Sequence, residues 1–121
     1  MNPDPLTGTV KAAAVQAAPV FLDRDATVEK ACRLIGEAAE QGARIMAFPE
    51  TFIPGYPFWP RDNTGAAREP ILRAFVSYFR NSVEIPSPQT DALCEAARKA
   101  NAYVVIGISE RDREFGGTLY N

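Results

Sequence analysis

Residues 11–49 decide the fold, and they read KAAAVQAAPVFLDRDATVEKACRLIGEAAEQGARIMAFP. The run from Lys11 to Ala18 is small and apolar and ends before Pro19, which predicts a buried strand even though alanine favours helix. The stretch RIMAFP is a second short apolar run, and it stops at Pro49. The order strand, helix, strand predicts a βαβ unit and therefore a layered α/β domain.

The helix between these two strands is predicted from its ends and from its apolar spacing. We expect Asp25 to cap its N-terminus and Gly42 to end it. Apolar residues recur at three-four spacing between these ends, so one stripe of the helix is predicted to be buried. The stripe consists of Val28, Ala31, Cys32, Ile35, Ala38 and Ala39.

Two more helices, a third strand and a hairpin are predicted downstream. The helices are expected at about residues 69–80 and 89–100. The run YVVIGI at 103–108 is the clearest strand pattern because it is rich in β-branched residues. Gly116 and Gly117 predict a hairpin turn, and TLYN then begins a returning strand. The side chains expected to face inward are Ile71, Leu72, Phe75, Val76 and Phe79 on the first helix, and Leu93, Cys94 and Ala97 on the second.

Length and charge limit the class of protein. A chain of 121 residues predicts one domain, here a flexible lead-in at 1–9 followed by the α/β domain at 10–121. Hydrophobic residues make up 46% of the chain, which is enough to build a core. The formal net charge of −2 provides no basic field for phosphate backbones, so we expect no nucleic-acid partner. No apolar run approaches the roughly 18 residues needed to span a bilayer, so we expect no membrane partner either.

The chain contains no histidine, which removes the usual general base and metal ligand. Ser-His-Asp, Cys-His and His-rich zinc sites are therefore excluded within these 121 residues, and we expect no metal site. The two cysteines, Cys32 and Cys94, have neither CxxC spacing nor the density of a disulfide scaffold. A reducing, cytoplasmic location is the prediction.

Glu50 is the first candidate for chemistry, because it stands where an apolar strand ends and a rigid aromatic loop begins. Such an edge is where α/β folds place functional groups. Phe48, Phe52 and Trp59 are close enough in sequence to desolvate the carboxylate and make it a general base. The alternative from position alone is a solvated loop acid, or one that caps a backbone amide.

The string AFPETFIPGYPFW at 47–59 closely resembles the segment with the catalytic glutamate in the nitrilase branch of the carbon-nitrogen hydrolase superfamily. The opening strand and helix also resemble that family, as do YVVIGISERD and GGTLYN near the end of the chain. The resemblance covers residues 10–121, and FPE followed by IPGYP is its most specific part.

This resemblance implies an αββα sandwich and a Glu-Lys-Cys triad in which Glu50 is the general base. It implies a nitrile substrate, a homo-oligomer and no metal or organic cofactor. The family's lysine and cysteine would both lie beyond Asn121, so we expect the chain by itself to be inactive. The cysteines and lysines that are present, Cys32, Cys94, Lys11, Lys30 and Lys99, are predicted to be packing residues or solvated charges.

The loop after Glu50 is the second candidate constellation. Thr51, Tyr56 and Trp59 are predicted to bind substrate, and the aromatic side chains of this loop, Tyr56, Phe58 and Trp59, suit an aryl or arylaliphatic nitrile. The alternative is that these side chains pack beneath the loop or in a subunit contact. Arg61 and Asp62 are predicted to be a surface pair.

Two other functions stay open on the sequence. An amidase or N-carbamoyl hydrolase of the same superfamily would keep Glu50 in the same role, although the proline-rich IPGYPFW favours a nitrilase. The chain also stops within an apolar strand, so we expect it to be a piece of a longer protein. A truncated, non-catalytic segment that serves only in assembly is the alternative of another class.

Overall fold

The computed structural model describes residues 8–59 and 68–121, and these form helices and strands in the predicted order. Most of the predicted lead-in, and the predicted surface pair Arg61 and Asp62, lie outside the described residues. The elements are β1 (Ala12–Ala14), α1 (Arg24–Glu40), β2 (Ile45–Ala47), α2 (Arg68–Asn81), α3 (Pro88–Ala100), β3 (Tyr103–Val105), β4 (Glu110–Arg111) and β5 (Leu119–Tyr120).

The three apolar strands form a parallel sheet in the order β1-β2-β3. The central residues of the three strands, Ala13, Met46 and Val104, are in register and pack into the core with α1 and α3. Residues on either side of them alternate to the opposite face, where Tyr103 is 80% exposed and Val105 is 65% exposed. The described residues therefore provide one helical layer and one sheet of the predicted αββα sandwich, which confirms the α/β class.

The N-terminus of α1 differs from the prediction, because Asp23 and not Asp25 is the cap. The Asp23 carboxylate accepts a hydrogen bond from the Ala26 amide at 3.0 Å. Buried Thr27 fixes this start, since its hydroxyl bonds the Asp23 carbonyl at 2.6 Å. Asp25 lies in the first turn and accepts instead from Gln89 Nε2 at 2.7 Å. Both aspartates precede the apolar stripe, so local spacing does not distinguish them.

Replacing Asp23 with alanine is expected to lower the free energy of unfolding of the full-length protein by about 1 kcal/mol, because an amide in the first turn of α1 loses its acceptor. Asp25→Ala is the matched control and should cost less, since Asp25 accepts from the Arg24 and Gln89 side chains and not from a helix amide. Urea denaturation followed by circular dichroism measures both variants. A larger loss in Asp25→Ala than in Asp23→Ala would contradict the assignment of the cap.

The other end of α1 agrees with the prediction to within one residue. Gln41 is the C-cap, and Gly42 follows it with a φ of +89°, the left-handed conformation that ends a helix. The predicted stripe is also confirmed at Val28, Ala31 and Ile35, which are buried.

The inward faces predicted for α2 and α3 are partly wrong. On α2 the predicted Leu72, Phe75 and Val76 are exposed, whereas Ile71 and Tyr78 are buried. On α3 Leu93 is buried as predicted, but Cys94 is exposed. Helical periodicity identifies an apolar stripe but not the surface that covers it, and the described residues do not cover the stripe of α2. No helix among the described residues is long and apolar enough to cross a bilayer.

Candidate active site

Glu50 lies at the carboxyl edge of the parallel sheet, three residues after the end of β2. The backbone ladder continues a little past the strands, since the Val15 amide donates to Ala47 and the Phe48 amide donates to Val105, both at 2.8 Å. An open hollow of about 760 Å³ lies at this edge and is lined by residues 14–18 and 47–49. The hollow therefore ends next to Glu50, at the edge where α/β sheets place their functional groups.

The chain leaves the sheet after Phe48 and returns to it at Ile53. The Ile53 amide donates to the Gly107 carbonyl at 3.3 Å, and the Ser109 amide donates to the Ile53 carbonyl at 2.8 Å. Phe48 and Ile53 are five positions apart in sequence, but their partners on the neighbouring segment, Val105 and Gly107, are only two positions apart. The extra residues on the Glu50 side must bulge outward, and we call residues 49–52 the arch. Glu50 stands on this arch.

Gly107 lies directly beneath the arch. A Cβ at this position would meet the carbonyl oxygen of Pro49 at 2.4 Å, the amide nitrogen of Thr51 at 2.5 Å and the Cα of Glu50 at 2.7 Å. These are backbone atoms, so no side-chain rotation would relieve the contact. The backbone on both sides of Glu50 therefore rests on a residue that has no side chain. No role for Gly107 was predicted from the sequence. The only local sign is a glycine within an otherwise β-branched run.

The Glu50 side chain is exposed in the described chain, so the predicted shielding by its aromatic neighbours is not found. Phe48 and Phe52 are buried in the core and pack against each other at a tilted angle, with ring centroids 5.3 Å apart. Phe48 points inward because it lies on the same face as Met46, two residues earlier. Glu50 is held instead by a hydrogen bond that the sequence analysis did not predict: Asn121 Nδ2 donates to its Oε1 at 2.5 Å.

Thr51, a predicted substrate contact, is 5% exposed. Its φ of +43° is left-handed, a costly conformation for a β-branched residue that tends to persist at functional sites. Its hydroxyl is buried and has no hydrogen-bond partner among the residues that the structure describes. Thr51 therefore shapes the arch, and its side chain is covered.

The aromatic residues predicted to bind substrate are placed differently from one another. Tyr56 is exposed and lies against exposed Phe58, with ring centroids 5.4 Å apart. Trp59 is half-buried and packs edge-on against Phe75 and Tyr78 of α2, at 5.3 and 5.4 Å. Tyr56 therefore remains available to a ligand, whereas Trp59 joins the loop to α2 as the packing alternative expected.

Cys32 and two of the lysines are engaged away from the arch, and Cys94 is an exposed free cysteine on α3. Cys32 Sγ donates to the Ala92 carbonyl across the α1–α3 contact, and burial raises the pKa of this thiol, so it is a poor nucleophile. Lys11 Nζ donates to the Gln41 carbonyl at the end of α1, and Lys99 pairs with Glu95. Within residues 8–59 and 68–121, no three Cys, Asp or Glu side chains are grouped so that they could hold a metal ion.

Comparison of the sequence with known proteins shows the family of the chain. A family model described as carbon-nitrogen hydrolase matches residues 11–121. Over 114 residues the chain is 46% identical to a cyanide hydratase of Armillaria gallica, covering 94% of this chain and 30% of that protein. An aliphatic nitrilase of Rhodococcus rhodochrous is also 46% identical over 114 residues, again with 94% of this chain and 30% of the relative covered.

An arylacetonitrilase of Aspergillus oryzae is 42% identical over 110 residues, which cover 88% of this chain and 30% of the relative. The chain thus spans about 30% of the length of the curated relatives it matches. These matches confirm the resemblance carried by the FPE and IPGYP motifs, and the chain belongs to the carbon-nitrogen hydrolase family.

Proposed function

We propose that the protein containing this chain is a nitrilase, which hydrolyses an organic nitrile to its carboxylic acid and ammonia, with Glu50 as general base. The observation that carries the proposal is the position of Glu50, displayed on the arch at the carboxyl edge of the sheet in a member of this family. The histidine-free composition also suits a reaction in which a carboxylate replaces imidazole as the base.

In the proposed reaction Glu50 accepts the proton of a cysteine thiol supplied by residues beyond this chain. The thiolate adds to the nitrile carbon, and a lysine from the same part of the protein stabilises the charge that develops on nitrogen. The nitrogen takes the proton from Glu50, water then attacks the resulting thioimidate, ammonia leaves, and an acyl-enzyme remains. A second water, deprotonated by Glu50, releases the carboxylic acid and the free thiol.

We propose an aryl or arylaliphatic nitrile as the substrate. Exposed Tyr56 and Phe58 support this choice because they present aromatic faces close in sequence to the base. The similar proteins are named for aliphatic, arylacetic and cyanide substrates, so the aromatic loop is what favours the aryl class. A homo-oligomer and inactivity of these 121 residues by themselves are further parts of the proposal, supported by the resemblance. A cytoplasmic location is also proposed, and the two widely separated cysteines support it.

The test is a comparison of substrates in the full-length protein. Ammonia release from phenylacetonitrile and benzonitrile is expected to exceed release from phenylacetamide and benzamide, because a linear nitrile carbon and a trigonal amide carbon need different geometries of attack. Chromatography of the acid product and a coupled ammonia assay measure both reactions. Fast turnover of the amides with poor turnover of the nitriles would replace the nitrilase with the amidase that shares Glu50.

A further inference from the structure

Asn121 is the residue that contacts the Glu50 carboxylate, and we propose that it is a positioning residue for this base. The inference rests on the proposed role of Glu50 and adds to it a residue that orients the carboxylate. Asn121 Nδ2 lies 2.5 Å from Glu50 Oε1, and 71 positions of sequence separate the two residues. The contact is therefore a product of the tertiary fold and not of local chain geometry.

A braced hairpin brings Asn121 to the arch. β4 and β5 pair antiparallel, with Arg111 opposite Leu119, and Asn121 follows directly after β5. The turn between them is closed by the Asp112 carboxylate, which accepts from the amides of Glu114 and Phe115 at 2.7 and 2.9 Å. The amides of Phe115 and Glu114 lower the pKa of Asp112, because their hydrogen bonds favour the charged carboxylate.

The hairpin is also tied to the body of the domain. The Arg111 amide donates to the Val83 carbonyl at 2.7 Å, and its guanidinium pairs with Glu84 at 2.6 Å. Arg113 joins the same carboxylate at 3.0 Å. The position of Asn121 is consequently set by several bonds that do not involve Glu50. A donor held in this way can orient a flexible partner.

Glu50 needs such a partner because Gly107 and the arch hold only its backbone. The exposed side chain has several rotatable bonds, and ordering a free Glu side chain costs conformational entropy. The hydrogen bond with Asn121 engages Oε1 and leaves Oε2 to accept a proton. A neutral amide donor also suits a base better than a lysine or arginine would, since it orients the carboxylate without the full charge that weakens its basicity.

The experiment uses four variants of the full-length enzyme, Asn121→Ala, Asn121→Asp, Tyr120→Phe and Glu50→Gln, and measures kcat, KM and the pH dependence of kcat/KM. Asn121→Ala removes the donor, and kcat is expected to fall about tenfold to a hundredfold with KM little changed. In Asn121→Asp the acidic limb of the pH profile should move to higher pH by about one unit or more, because two carboxylates in contact resist ionising together.

Tyr120→Phe is the matched control, since it removes a polar group from the exposed residue next to Asn121 and leaves the amide that contacts Glu50. Its pH limb and kcat should match the unmodified enzyme. If Asn121→Asp fails to fold by circular dichroism, Asn121→Ala alone decides the outcome. Unchanged kcat and an unmoved acidic limb in the Asn121 variants, while Glu50→Gln is inactive, would overturn the role of Asn121 and leave the proposed function intact. An active Glu50→Gln enzyme would instead remove the proposed function itself.

Discussion

Replacing Glu50 with glutamine is expected to lower kcat/KM of the full-length enzyme for its nitrile by roughly 10²–10⁴-fold. The amide of glutamine keeps the size and shape of the side chain but accepts no proton from the cysteine thiol. Because the side chain is exposed on the arch and no core contact depends on its charge, the fold should be retained. Steady-state ammonia release measures the loss, and circular dichroism and thermal unfolding test the fold.

Glu40→Gln is the matched control for this variant. Glu40 is an exposed carboxylate at the last residue of α1, which precedes β2, whereas the arch follows it. Removing its charge near a helix C-terminus should be neutral or slightly favourable for stability, and activity should not change. Comparable activity in Glu50→Gln and Glu40→Gln would show that Glu50 is only a solvated loop acid.

Gly107→Ala is expected to produce the second largest effect, with kcat/KM lowered at least about 10²-fold, as a misplacement of about 1 Å at a reacting group can cause. The added methyl would lie 2.4–2.7 Å from backbone atoms of residues 49–51, so the arch must move away from the sheet and carry Glu50 with it. The protein should also lose about 1–3 kcal/mol of stability through overpacking. Activity assays and urea unfolding measure the two effects separately.

Gly36→Ala provides the control for Gly107→Ala. Gly36 lies within α1, and a Cβ there would meet nothing within 4 Å, so alanine should raise stability by about 1 kcal/mol through helix propensity. A double variant then separates displacement of the base from general damage. If Gly107 acts through Glu50, adding Gly107→Ala to Glu50→Gln should cost little more activity than Glu50→Gln alone. Fully additive losses would mean that Gly107 supports the fold but not the base.

Local pattern was sufficient for the types of most elements and for the position of Glu50. Each strand and helix carries its own signal, such as the β-branched run in β3 or Ser87 before α3, where the structure finds a capping box. The glutamate is equally local, because FPE marks the end of a strand wherever that strand pairs. A βαβ unit joins two parallel strands, so the parallel pairing of β1 with β2 also follows from local pattern.

Local pattern did not predict correctly which faces of α2 and α3 are buried. The apolar stripe of α2 predicts a buried side, yet Leu72, Phe75 and Val76 are exposed because burial depends on which other element lies opposite. The prediction that Cys94 on α3 faces inward is wrong for the same reason. The start of α1 at Asp23 was decided by buried Thr27, whose hydroxyl holds the turn before the predicted cap.

The sequence by itself determined the α/β class, the strand that presents Glu50 and the aromatic loop that follows it, since each depends on residues adjacent along the chain. Only the tertiary structure decided what surrounds the base. Gly107 and Asn121 reach Glu50 from 57 or more positions away, through the pairing of β3 and the bracing of the β4–β5 hairpin. Neither Gly107 beneath the arch nor the Asn121 amide beside the carboxylate produces a periodic pattern in the sequence, because each acts only where distant segments of the chain meet.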